Sequence, residues 1–156
     1  MIRVKKIETQ QELDEAFEIR RVVFVVGQDC PIEDEFDGFD DESIHFIAYV
    51  SGEPAGTCRY RSTQKGIKLE RFAVLEKFRG KGIGKRLVQT VLGYLEQQNL
   101  AEGTLIYLHA QIEAMGLYSR YGFEKVGEMF DEVGIDHYEM QKKVCCLLYT
   151  SDAADE

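Results

Sequence analysis

The sequence predicts a mixed α/β protein with a single domain. Its 156 residues suit one domain and are too few for two ordinary ones. Segments that alternate apolar and polar residues, as half-buried strands do, are interspersed with segments whose apolar residues recur at helical spacing. In order, these patterns predict strand, helix, three strands, helix, strand, helix and two strands. No internal repeat or low-complexity linker interrupts them.

The first half of the chain predicts one helix and four strands. Residues 2–7 alternate like a strand, and Thr9 then caps a helix with Glu12 as its capping-box partner. The short apolar run at 22–26 reads as a buried helix end or strand. Three further strands are predicted at residues 44–50, 55–62 and about 67–75, the first two forming a hairpin.

The last of these strands contains a change of phase. The apolar residues Ile67 and Leu69 occupy odd-numbered positions, whereas the apolar residues Phe72 and Val74 occupy even-numbered ones. A one-residue insertion produces this shift, so we predict a β-bulge at residues 70 and 71. The alternative is a strand that is buried on both faces, where phase carries little information.

The second half begins with the glycine-rich segment RGKGIG at residues 79–84, which opens a long helix. The apolar stripe of this helix consists of Ile83, Leu87, Val88, Val91, Leu92 and Leu95. A buried strand is predicted at 104–110, a short helix at about 111–121, and strands near 123–130 and 135–143.

The glycine-rich segment is the feature most indicative of chemistry. The first turn of a helix has unpaired backbone N–H groups and a partial positive charge, so it binds phosphate oxygens. Basic side chains surround it at Arg79, Lys81, Lys85 and Arg86, which favours a diphosphate. The dinucleotide fingerprint and the P-loop both fail, because Lys85 replaces a glycine of the first and Arg86 the hydroxyl residue of the second. A tight turn that only packs helix on strand is the structural alternative.

Two motifs resemble those of the GCN5-related N-acetyltransferase (GNAT) superfamily. RGKGIG at 79–84 is similar to the coenzyme A pyrophosphate loop [Q/R]xxGx[G/A], and AMGLYSRYGF at 114–123 to the second signature, a helix ending in Y-x-x-x-G-F. The resemblance covers roughly residues 2–143. HAQ at 109–111, GIDHYEM at 134–140 and the stretch VFVVGQDCPIEDEFDGFD resemble the small bacterial subgroup typified by ElaA and YjcF. Before Gln28 this chain has Gly27, where that subgroup has a glutamate.

This resemblance implies a splayed, mixed sheet of six to seven strands with helices on both faces. It also implies direct transfer of an acetyl group from acetyl-CoA, the cosubstrate, to a primary amine. The amides of Phe72, Ala73 and Val74 would contact the pantetheine arm or polarise the thioester carbonyl. The pyrophosphate would bind to Arg79, Gly80, Lys81, Gly82, Ile83, Gly84 and Lys85. A homodimer is a further possibility that the family offers.

The resemblance also assigns catalytic roles. Tyr118 matches the general acid that protonates the departing thiolate, although it and Tyr121 also fit an apolar stripe of core aromatics. Glu70, at the predicted bulge, and His109, at the end of the central strand, are the candidates for the general base. The other reading of Glu70 is a surface residue, and that of His109 a buried structural histidine.

A second hypothesis of another class stays open, namely a non-catalytic CoA-binding sensor or partner-binding module on the same fold. The acceptor substrate, the acyl-chain preference and the oligomeric state are not readable from the sequence.

Charge excludes a nucleic-acid-binding surface. The net charge is −9, but residues 33–42 hold seven acids and the last five residues hold three more. The remaining residues carry 18 acids against 19 bases, without the one-sided basic surface that nucleic acid requires. The acidic run is most simply a solvated loop. Its alternatives are a rim that attracts a cationic amine and, less well matched, a calcium loop.

Cysteine spacing and hydropathy indicate a cytoplasmic protein without a metal site. The cysteines at 30, 58, 145 and 146 form neither a disulfide framework nor a metal-ligand pattern. No apolar run approaches the roughly 18 residues of a membrane span or resembles a signal peptide. We take residues 1–144 as the acetyltransferase domain and 145–156 as a disordered tail. Its segment CLLYTSDAADE resembles the in-frame translation of a sequencing adapter.

Overall fold

The computed structural model describes residues 1–144, so the predicted tail at 145–156 lies outside the described residues. Within this range, seven strands form one mixed sheet in the order β1-β2-β3-β4-β5-β7-β6. The strands are β1 (Ile2–Lys6), β2 (Ile44–Val50), β3 (Glu53–Ser62), β4 (Ile67–Val74), β5 (Leu105–Gln111), β6 (Glu124–Glu132) and β7 (Ile135–Lys143). The helices are α1 (Gln10–Arg20), α2 (Ile32–Glu35), α3 (Ile83–Glu96) and α4 (Met115–Ser119). The predicted mixed α/β fold is confirmed.

One pair of neighbouring strands is parallel and the others are antiparallel. The parallel pair is β4 and β5, which α3 connects. Helix α3 buries the predicted stripe against one face of the sheet, with Leu92 only partly buried. Helix α1 packs Ala16 and Ile19 against the opposite face, next to Ile47 and Ala73. The two layers of helices place the middle of the sheet, and hence β4, inside the molecule.

Helix α1 begins with the predicted capping box. The Thr9 hydroxyl accepts a hydrogen bond from the Glu12 amide at 3.1 Å, and the Glu12 carboxylate accepts one from the Thr9 amide. The helix continues as a π-helical turn at Arg21–Val26. Residues 22–26 were expected to be buried, but only Val23 is, and Val26 is 61% exposed.

The third predicted helix, at about 111–121, is shorter than expected. A 3₁₀ turn at Ile112–Ala114 precedes α4, which ends at Ser119. In the part of the chain that the structure covers, no helix has the length and apolar character needed to cross a membrane.

Candidate active site

The central feature of the site is a gap between β4 and β5. These strands pair only at Ile67↔Ile106, Lys68↔Tyr107 and Leu69↔Leu108, and beyond these positions they separate. A cleft of about 560 Å³ occupies the gap. Its walls come from β4, β5, α4, the β6–β7 hairpin and the segment after α1. The unpaired part of β4 therefore borders a space that a ligand can enter.

The predicted bulge in β4 is confirmed. Arg59 of β3 pairs with Glu70, but Thr57, two residues earlier, pairs with Ala73, so β4 contains one extra residue. Arg71 takes up the insertion with a left-handed φ of 62°. Because of this insertion, Leu69 and Phe72 both face the α3 side, whereas Ala73 faces α1.

Strand alternation shows which β4 amides face the cleft. The Leu75 amide donates to the Ala55 carbonyl of β3 at 2.9 Å, so the Ala73 amide, two residues earlier, also points to β3. The amides of Val74 and Phe72 then point the other way, into the gap. This corrects the expectation for Ala73, whose amide is directed away from a ligand in the cleft.

The glycine-rich segment forms an open helix N-terminus. Gly80 and Gly82 have φ angles of 79° and 83°, and a Cβ at either position would meet no atom within 4 Å. Gly82 is the N-cap of α3, and the first helical hydrogen bond runs from the Arg86 amide to its carbonyl. Across the described residues, the amides of residues 80–85 donate no hydrogen bond. They are free to bind an anion of about diphosphate size.

Side chains around this N-terminus differ in what they can contribute. The side chains of Lys81 and Lys85 are exposed. The side chain of Ile83 is buried, so this residue can offer a ligand only its backbone amide. Gly84 packs close to α4, where an added Cβ would lie 3.4 Å from Leu117 Cδ2. Arg79 donates its Nε to the Val74 carbonyl at 2.9 Å. The Arg79 guanidinium thus joins the end of β4 to the loop.

Tyr118 lies at the cleft wall beside the gap. Its ring is buried and contacts Phe72 edge to face, with centroids 5.4 Å apart. Burial raises the pKa of the Tyr118 phenol well above its usual value, so the hydroxyl stays protonated at neutral pH. Among the described residues, none forms a hydrogen bond to this hydroxyl. Tyr121, in contrast, is outside the cleft lining, and its carbonyl accepts from Lys142 Nζ.

His109 lies between two carboxylates on the floor of the cleft. Its Nδ1 is 2.9 Å from Glu132 Oε1, and its Nε2 is 3.4 Å from Glu139 Oε1. The hydrogen bond with His109 lowers the pKa of the Glu132 carboxyl. The sequence reasoning missed Glu132, because only the pairing of β6, β7 and β5 brings residue 132 next to residue 109.

Glu70 is ill suited to accept a proton. Its carboxylate contacts Arg59 at 2.9 Å, Arg61 at 2.8 Å and Lys68 at 3.1 Å. Burial alone would raise the pKa of Glu70, but the hydrogen bond from Arg61 and the charges of Arg59 and Lys68 lower it to about 2. The expectation that Glu70 is a surface residue is also wrong, because it is 8% exposed.

The acidic segment at 33–42 is solvated only in part, because Glu33, Asp34, Asp41 and Glu42 are exposed but the other three carboxylates are paired with arginines. Glu35 and Asp40 bind Arg20, each at 2.7 Å, and Asp37 binds Arg59 at 3.0 Å. The two arginines are almost fully buried. Carboxylates neutralised in this way contribute little to attraction of a cationic amine.

The other two histidines and the two cysteines within residues 1–144 are buried. His137 lines the cleft and stacks on Phe130, and its Nδ1 contacts the Ile135 carbonyl, whereas His45 is buried outside the cleft. Cys30 and Cys58 are buried free thiols. No cluster of potential metal ligands occurs in the part of the chain described.

Comparisons with known proteins agree with this geometry. The protein family described as "Acetyltransferase (GNAT) domain" matches residues 21–144 of this chain. The "Uncharacterized N-acetyltransferase YjcF" of Bacillus subtilis (strain 168) is 34% identical over 134 residues, which are 85% of this chain and 94% of YjcF.

Two solved structures are similar along nearly their whole length. An acyl-CoA N-acyltransferase from Pseudomonas aeruginosa has a TM-score of 0.78 at 30% identity, covering 91% of this chain and 98% of that one. Escherichia coli ElaA has a TM-score of 0.80 at 26% identity, covering 91% and 99%. The predicted resemblance is confirmed, and the chain belongs to the GNAT acetyltransferase family.

Proposed function

We propose that the protein transfers an acetyl group from acetyl-CoA directly to a primary amine. The observation that carries this proposal is a continuous series of unpaired polar groups along the cleft. Free amides at residues 80–85 lead to the Val74 amide at the unpaired edge of β4, and Tyr118 lies beside that edge. A diphosphate joined to an extended arm that ends in a thioester has the shape and chemistry to follow this series.

The chain's own residues fit such a ligand. The amides at 80–85 donate to the diphosphate, and the open space at Gly80 and Gly82 lets phosphate oxygens approach the backbone. Lys81 and Lys85 add positive charge at the solvent side. The unpaired amides of Phe72 and Val74 supply the strand-like hydrogen bonds for the arm and polarise the thioester carbonyl.

The transfer needs two proton movements. The amine nitrogen forms a bond to the carbonyl carbon while the carbon–sulfur bond breaks, and the sulfur leaves as a thiolate. Tyr118 donates its hydroxyl proton to this thiolate, since the phenol is protonated at neutral pH, as a general acid must be. The Phe72 ring holds the Tyr118 ring in place.

We assign the second proton movement to His109. The side chain borders the cleft, Glu132 holds its Nδ1, and Nε2, which lies 3.4 Å from Glu139 Oε1, takes the proton from the acceptor's ammonium group before the neutral amine attacks. Glu70, with a pKa of about 2, would hold such a proton poorly, so we propose that it orders the arginines around it instead.

A thiol-release assay tests the proposal. The full chain is mixed with acetyl-CoA and pooled amines, and free CoA is measured with a thiol reagent. We expect release that depends on both the amine and Tyr118. CoA binding without turnover across a broad amine panel would instead support a sensor or partner-binding module.

A further inference from the structure

A group of buried ion pairs lies on the cleft floor at the end opposite to the phosphate loop. Arg61 of β3 stands opposite Lys68 of β4, and Arg59 opposite Glu70, all four on the sheet face that carries His109. Arg61 and Lys68 both line the cleft, with 14% and 17% of their side chains exposed.

The positive charge of this group exceeds its negative charge. Three cations, Arg59, Arg61 and Lys68, converge on the single carboxylate of Glu70. Arg59 is also paired with Asp37 and Asp40, but no second carboxylate contacts Arg61 or Lys68 among the described residues.

The wider network does not remove this excess. In the described part of the chain, the ion pairs that connect to Glu70 link five cationic side chains to four carboxylates. The cations are Arg20, Arg59, Arg61, Lys68 and Arg71, and the carboxylates are Glu35, Asp37, Asp40 and Glu70. Among these contacts one cation is in excess, and Glu132 attracts Lys68 only without a direct ion pair. An anionic ligand in contact with Arg61 and Lys68 would offset the cost of keeping this charge mostly buried.

Hydrogen-bond donors remain open at the same place. Arg61 uses Nε and Nη2 on Glu70, and its Nη1 has no hydrogen-bond acceptor among residues 1–144. Lys68 contacts Glu70 through one ion pair, and an ammonium group has three donors. Two neighbouring cations with unused donors form a suitable cradle for a carboxylate or a phosphate.

This anion cradle, Arg61 and Lys68, is distinct from the CoA loop. Lys68 and Val74 are six positions apart in β4, which corresponds to about 20 Å of strand. His109, in contrast, lies only two residues beyond Tyr107, the β5 partner of Lys68, or roughly 7 Å along the strand. Glu132 makes the surroundings of His109 acidic, whereas Glu139 is also paired with Lys65. The cleft thus offers an acidic end for an ammonium group and a basic end for an anion.

We propose that the acceptor is a small amine that also carries an anionic group, a carboxylate or a phosphate, which Arg61 and Lys68 bind. This inference rests on the proposed acetyl transfer for its kinetic test but predicts anion binding that does not depend on turnover.

Matched acceptor pairs test the preference. The carboxylate pair is 6-aminohexanoate and 6-aminohexanamide, and the phosphate pair is glucosamine 6-phosphate and glucosamine. For at least one pair, we expect the anionic member to have at least about tenfold higher kcat/KM. Lys68→Met should abolish that preference, whereas Lys143→Met, at the exposed end of β7, should preserve it. Equal kcat/KM within both pairs, or an equal loss for both members in Lys68→Met, would overturn the inference.

A binding experiment separates this inference from the proposed function. Inorganic phosphate is titrated into the protein with saturating CoA, which fills the loop at 79–84, and binding is followed by heteronuclear NMR. We expect shifts at Arg61 and Lys68 and about tenfold weaker binding in Lys68→Met. No binding, or unchanged binding in that variant, contradicts the anion cradle. Absence of turnover with every amine contradicts only the proposed transfer.

Discussion

The rings of Phe72 and Tyr118 meet edge to face with their centroids 5.4 Å apart. Phe72 directly follows the bulged residue Arg71 in β4, and Tyr118 lies in α4 on the far side of the gap. The inserted residue is therefore what turns Phe72 toward Tyr118, and it links the irregular strand to the proposed acid.

Tyr118→Phe should lower kcat by about 100-fold, the usual contribution of a general acid. It should leave the KM for acetyl-CoA and the folding stability nearly unchanged, because the ring and its packing on Phe72 remain. Steady-state kinetics with a competent amine measure this. Tyr121→Phe is the matched control and should retain full activity, since that side chain is outside the cleft lining. Wild-type kcat in Tyr118→Phe would remove the acid assignment.

His109→Gln should reduce kcat at neutral pH by about 100-fold, because it removes the proposed proton acceptor. The loss should shrink as the pH rises toward 10, where the amine loses its proton to solvent. A pH–rate profile tests this, with His137→Gln as the comparison. The assignment fails if the loss is the same at every pH, or if both variants lose activity equally.

Gly82→Asp should weaken CoA binding strongly, because it places a negative charge beside the proposed diphosphate site. It should also destabilise the protein by about 1 kcal/mol, since a side chain is strained at a φ of 83°. Gly103→Asp is a matched control with a φ of 86° and open space around it. Calorimetry should show reduced CoA affinity in Gly82→Asp alone. Equal affinity in the two folded variants would contradict the loop assignment.

Glu70→Gln should destabilise the protein at pH 7 by about 3 kcal/mol, because it leaves buried cations unpaired. The folded-state pKa of about 2 lies below the ordinary value of 4.5, so the carboxylate stabilises the fold above pH 4.5. This contribution is lost as the pH falls from 4.5 to 2, and the difference between wild type and variant should narrow over that window. Denaturant unfolding at several pH values checks this, and a pH-independent difference would count against the ion pairs.

Local sequence patterns were sufficient for the bulge and for the glycine-rich turn at the start of α3. The phase change between Leu69 and Phe72 is a property of one strand, and the glycines that need positive φ stand at fixed offsets from the helix start. Tyr118 was placed by resemblance alone, since its position on an apolar stripe fits a core residue equally well.

Partners distant in sequence could not be predicted in the same way. Three carboxylates of 33–42, those of Glu35, Asp37 and Asp40, look solvated in the sequence because Arg20 and Arg59, which bind them, come from α1 and β3. Glu132 reaches His109 only through the register of two strand pairs. Both errors arise from tertiary pairing, which residue type and spacing do not encode locally.

Crystals soaked with CoA test the central claim most directly. We expect density for the diphosphate at the amides of residues 80–85 and for the pantetheine arm along Val74, with the sulfur near Tyr118. Diphosphate density at any other place, or an arm that lies outside the gap between β4 and β5, would contradict the account.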